Sequence, residues 1–197
     1  MCGLSASPSY AAACAAIDAA NAGDPGAVDV RGAGPRPLAM VHGELAAEWV
    51  AVLAPSAGDL VLLAARAHHL RRWELPRAQY AAGRAGYLQW KRDQRRRHAA
   101  DVGELLSEIG FAADDIALVQ AMVLRQSAGG QLVEDAACLV FIETQLASVA
   151  AQLERDHLID VIRKTAKKMS PAALAAVSSI PLGAEEQSLL ADALAPN

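Results

Sequence analysis

At 197 residues the chain is long enough for one domain that buries roughly 70% of its unfolded surface. Hydrophobic residues make up 53% of it but aromatics only 4%, with alanine dominating the rest, so closely packed helices are expected and a sheet-rich fold is not. No apolar run reaches the roughly 18 residues of a membrane span, and the net charge of -4 hides a strong local asymmetry.

Ser7-Pro8 opens a first helix that runs to about Asn21, with serine as N-cap and proline in the first turn. Gly23-Asp24-Pro25-Gly26 stops it, and the Gly/Pro-rich stretch to Pro37 reads as loop. A second helix is predicted from Leu38 to Leu53. The third carries Leu60, Leu63, Ala64, Ala67 and the pair His68-His69, and is predicted to end near Trp73, before Pro76. Residues 74–85 read as an irregular connection.

A long helix follows from about Ala85 to Ile109, with Gly110 as its C-terminal stop. Another spans about Ala113 to Gln126 behind Asp114-Asp115. The segment from Gln131 to about Leu153 is apolar all round and therefore central, apart from Glu134 and Asp135. Three short helices, about 156–168, 171–178 and 184–194, close the chain. The expected architecture is all-α, a single compact multi-helix bundle over residues 1–197.

Ten of the eighteen basic residues lie between Arg66 and Arg97, opposed there only by Glu74 and Asp93. Such a strip on an acidic protein points to an anionic ligand, whether phosphate, carboxylate or nucleic acid, or else to a solvated helix face paired with Glu and Asp elsewhere. Arg71, Arg72, Arg77, Arg84 and Lys164 are the candidate substrate-binding residues. No aromatic-basic alternation marks an RNA-binding surface, so nucleic acid is not the expected partner. Oligomeric state has no signature in the sequence.

Three cysteines, Cys2, Cys14 and Cys138, follow no metal or redox spacing and fit a reducing cytosol. Met1 to Tyr10 lacks the basic and apolar regions of a secretory signal, so a cytoplasmic location is expected.

His42, His68, His69 and His98 each fall on a stretch that otherwise reads as an apolar helix face, as do Glu134 and Asp135. Burying such groups costs several kcal/mol unless something pairs with them. A divalent ion, Fe, Mn, Zn or Ni, is one such partner, with His69, His98 and Asp135 as ligands and His42, His68 or Glu134 completing the shell. Adjacent helical residues diverge by about 100°, so His68 and His69 are not expected to share a direction. The ion would activate a bound water, with Glu134 and Asp135 as catalytic carboxylates and Glu134 as proton shuttle. A buried ion network pairing Glu134 and Asp135 with Arg72, Arg77 or Arg163 is the alternative.

The order His42, His68-His69, His98, Asp135 on helices resembles an HD-type metal domain, although His69 stands where that pattern has aspartate. The resemblance implies a metal-dependent phosphohydrolase or, alternatively, a non-haem iron oxygenase of a small acid. A second resemblance covers residues Ala16 to Leu194. It rests on Ala64-Ala65-Arg66-Ala67-His68-His69-Leu70-Arg71-Arg72-Trp73, on Arg84-Ala85-Gly86-Tyr87-Leu88-Gln89-Trp90, on Leu132-Val133-Glu134-Asp135-Ala136, and on Lys168-Met169-Ser170-Pro171. These motifs are similar to a domain-of-unknown-function family of small helical proteins, which implies an essential His69 and brings no established activity. A glutamyl-tRNA synthetase label borne by some of that family is rejected, because the chain lacks strands for a parallel nucleotide-binding sheet. A metal-free module that binds a phosphorylated ligand, RNA or a protein is the rival reading.

Overall fold

A computed structural model describes residues 8–195; the expected Ser7 cap, the N-terminal segment and Cys2 lie outside them. Among the described residues ten α-helices carry the fold: α1 (Pro8–Asn21), α2 (Leu38–Leu53), α3 (Asp59–Arg66), α4 (Gly83–Ile109), α5 (Ala113–Val123), α6 (Gly130–Thr144), α7 (Leu146–Ala150), α8 (Arg155–Ala166), α9 (Pro171–Ala176) and α10 (Ala184–Leu194). The all-α expectation holds. No helix among the described residues is long and apolar enough to cross a membrane.

Two apolar clusters form around α2, α3 and α6. The first joins Leu45, Trp49 and Val50 of α2 to Leu139 and Ile142 of α6 and to Leu158, Ile162 and Leu189 further on. The second joins Ile17 of α1 and Leu63 of α3 to Val102 and Leu106 of α4 and Val119 of α5. Each large aliphatic side chain buried in this way contributes about 1.5–3 kcal/mol. Gly43 lets α2 and α3 meet: a Cβ there would stand 2.4 Å from the Arg66 carbonyl oxygen. Asp18 of α1 grips the same Arg66 side chain at 2.6 and 2.8 Å, so three helices converge where α3 ends.

Four expectations need correction. Residues Ala27–Asp29 and Pro35–Pro37 form a small antiparallel hairpin, β1 and β2, where loop was expected. Helix α3 stops at Arg66 rather than near Trp73. Arg71 takes a left-handed backbone (φ 49°), and its amide donates to Oδ1 of fully buried Asn21 at 2.9 Å. That tertiary bond terminates the helix where local sequence gives no stop signal. Helix α5 ends at Val123, and Arg125 is left-handed as well (φ 65°). The central segment breaks at Gln145, which separates α6 from α7.

Candidate functional site

A cavity of about 230 Å³ opens between the turn after α3, the first half of α4, Arg125, α6 and α8. His68, His69 and His98 line it together with Gln94, and His42 sits directly behind His69. Because α3 has already unwound, the neighbours His68 and His69 face the same space, with ring centroids 4.0 Å apart. The expected divergence of that pair is therefore wrong: a helical angle does not apply to a turn.

The hydrogen bonds assign a tautomer to each imidazole. Thr144 Oγ1 donates its one proton to the Val140 carbonyl at 2.7 Å, so it accepts from His42 Nε2–H at 3.0 Å. Burial, then the Arg72 charge, pushes the His42 pKa down to about 4, so its Nδ1 is bare and accepts from His69 Nδ1–H at 3.2 Å. His68 and His98 donate Nδ1–H to the carbonyls of Ala65 and Leu70, each at 2.7 Å. Burial and then Arg72 push His98 down to about 3; burial holds His68 and His69 well below the usual range. All three cavity histidines are thus neutral and keep Nε2 unprotonated.

Cations surround these lone pairs. Arg72 lies 4.7 Å above the Trp90 ring, whose Nε1–H donates to the Leu75 carbonyl. Lys91 stands 5.6 Å from the Tyr87 ring. Burial lowers the pKa of both, and for Lys91 the charges of Lys168 and Arg95 add to the effect. Among the described residues no carboxylate pairs with Arg72, Lys91 or Lys168, although all three line the cavity.

Glu134 is the one carboxylate in the lining, and it is committed. Its Oε2 accepts from Arg95 Nη2 and Arg125 Nε, both at 2.9 Å. Burial alone would raise its pKa, but the Arg125 and Arg95 charges outweigh that, and the net shift is downward. An ionised carboxylate locked by two guanidinium groups is poorly suited to the proton shuttling expected of it. An ion network does form at Glu134, but with Arg95 and Arg125 rather than the expected Arg72, Arg77 or Arg163, and it does not include Asp135.

Asp135 does not join the histidines. It is 1% exposed, lies outside the cavity lining, and its Oδ1 accepts from the Ser170 amide at 2.8 Å and Gln131 Nε2 at 2.9 Å. Ser170 caps α9 by accepting from the Ala173 amide at 3.2 Å. The Lys168-Met169-Ser170-Pro171 motif is accordingly a helix start tied to α6. His42 has both nitrogens engaged within the protein. Among the described residues no three His, Cys, Asp or Glu side chains form a group able to hold a metal ion.

Of the expected anion-binding residues only Arg72 lines the cavity. Arg71 serves the chain reversal through its backbone. Arg77 braces the segment before α4, donating to the carbonyls of Tyr80, Ala81 and Gly83. Arg84 lies outside the lining, and Lys164 pairs with Asp160 at 2.6 Å on an exposed face. Lys91 and Arg95 were only members of a charged strip in the sequence, and Arg125 carried no signal at all. Cys138 also lines the cavity, and burial raises its thiol to about 11, which keeps it protonated and inert.

Fold and cavity together define a small helical protein with a cation-rimmed imidazole pocket. Residues 11–190 match the family described as "Domain of unknown function (DUF4202)", and the chain belongs to it. No curated protein and no solved structure matches it.

Proposed function

We propose that the cavity binds and acts on a small phosphorylated anion, without a resident metal. The observation that carries this reading is the set Arg72, Lys91 and Lys168, three cations on one pocket, none of them in a salt bridge among the described residues, with Glu134 the one carboxylate nearby and already held by two arginines. Arg72 and Lys91 are partly withdrawn from water, which is costly for an unpaired charge, while Lys168 is exposed; phosphoryl oxygens are strong partners for all three. Phosphoester hydrolysis is the favoured reaction. In it His69 Nε2 takes the proton of an attacking water, and His42 and Thr144 hold the ring in the required tautomer. Lys91, made more acidic by burial and then by the Lys168 and Arg95 charges, supplies a proton to the leaving oxygen.

Titration calorimetry with inorganic phosphate and phenyl phosphate tests the binding step. Saturable binding that Arg72→Met weakens by about tenfold or more is expected; its absence at millimolar concentration overturns the reading. Release of phenol from phenyl phosphate separates an enzyme from a module that only binds.

A second reading keeps the HD-type metal chemistry, whether hydrolysis or iron-dependent oxygenation of a small acid. It is favoured by His68 and His98, whose Nδ1–H groups are fixed on carbonyls while Nε2 stays unpartnered, the arrangement that presets an imidazole for a metal. The missing third ligand and the surrounding cations count against it. Elemental analysis of protein purified without a histidine tag decides: about one Fe, Mn, Zn or Ni per chain reverses the ranking.

A further inference from the structure

Three side-chain atoms of the cavity residues have no partner among the described residues, and all three are acceptors: His68 Nε2, His98 Nε2 and Gln94 Oε1. Their residues are only 4%, 1% and 2% exposed. The donor side of each is already used within the protein. The two Nδ1–H groups go to carbonyls, and Gln94 Nε2 donates to the carbonyls of Arg72 and Leu75 at 2.8 and 2.9 Å, which also sets the orientation of its amide. A buried acceptor left without a donor costs about as much as a lost hydrogen bond, so three in one small space are not accidental filling.

The floor and the rim of the pocket therefore make opposite demands. Phosphoryl oxygens satisfy Arg72, Lys91 and Lys168 but are repelled by bare lone pairs. The floor requires O–H groups. A cavity of about 230 Å³ lies below the roughly 300–1,000 Å³ of pockets for drug-sized ligands, so both demands fall on one small molecule. We infer that the ligand is a phosphate ester of a small polyhydroxy compound, its phosphoryl group on the cations and its hydroxyls donating to His68, His98 and Gln94. This rests on the proposed phosphoryl reading and names the rest of the molecule.

The matched pair propyl phosphate and glycerol 3-phosphate tests it, since both carry one phosphoryl group on three carbons and differ by two hydroxyls. In calorimetry with the full chain, glycerol 3-phosphate should bind about tenfold or more tighter. Gln94→Leu should shrink that ratio towards one, whatever its effect on the affinity for propyl phosphate itself; if this variant does not fold, His68→Leu makes the same test. Equal affinity for the two esters overturns the inference and spares the phosphoryl reading. Failure of both esters to bind overturns that reading as well. Stoichiometric binding of zinc or manganese, lost in His68→Leu, also overturns the inference, because a metal then fills the acceptors.

Discussion

Glu134 and Asp135 are chain neighbours on one helix, yet they belong to two different kinds of interior. On the Asp135 side the buried carboxylate is held from within the protein: its Oδ1 receives an amide and a carboxamide, and the loop before α9 is pinned to α6. On the Glu134 side, across the cavity, three acceptors and three cations are left over. Asp135 and the residues of the three acceptors are all buried, so burial alone does not distinguish a structural polar group from a functional one. Satisfaction does. A closed hydrogen-bond inventory marks an interior that only holds the protein together, and an open one marks an interior waiting for something else.

The largest expected effect comes from acid. His42 and His98 titrate near 4 and 3 in the folded chain against an unfolded value of about 6.5. Above pH 6.5 both states are neutral and the groups contribute nothing. Below it the unfolded state binds protons that the folded state refuses, so stability falls by roughly 1.4 kcal/mol per pH unit for each histidine down to about pH 4. Denaturant melts between pH 7.5 and 4.5 measure this. A flat profile would place the imidazoles in water and erase the contrast.

Next in size, Asp135→Ala should cost about 2 kcal/mol in urea unfolding, because it strands the half-buried Ser170 amide. Phosphate affinity of the folded fraction should change little. Arg72→Met should do the reverse, lowering phosphate affinity about tenfold or more while leaving stability unchanged or slightly raised, since it removes a half-buried charge with no salt-bridge partner among the described residues. If Arg72→Met instead destabilises the fold strongly, the cation is structural. Thr144→Val is the smallest, about 1 kcal/mol, because it leaves His42 Nε2–H without its acceptor. The amide and ring-proton signals of His42 in NMR spectra should shift with it.

How much was legible depended on whether the governing contact was local. Helix α2 is bounded as its pattern predicts, and Gly110 (φ 94°) ends α4 as a left-handed stop should. The clustering of the four histidines was also readable, from their shared apolar surroundings. The end of α3 was not, because an Ala/Leu/His run has no breaker and the stop comes from Asn21, far back in the chain. Arg125 was invisible for a related reason: it sits outside the basic strip and enters the cavity only because its backbone turns left-handed. Asp135 looked like a ligand because a sequence shows that a carboxylate is buried but not what satisfies it.

One consequence follows from the wall that α8 contributes. Val161, Thr165 and Lys168 close the cavity, whereas its imidazoles come from residues made much earlier in synthesis. A nascent chain that has emerged only as far as α6 owns His42, His68, His69 and His98 but lacks one side of their pocket. Competence to hold a ligand thus arrives late, when Ser170 reaches back to Asp135 and draws the final side of the chamber shut.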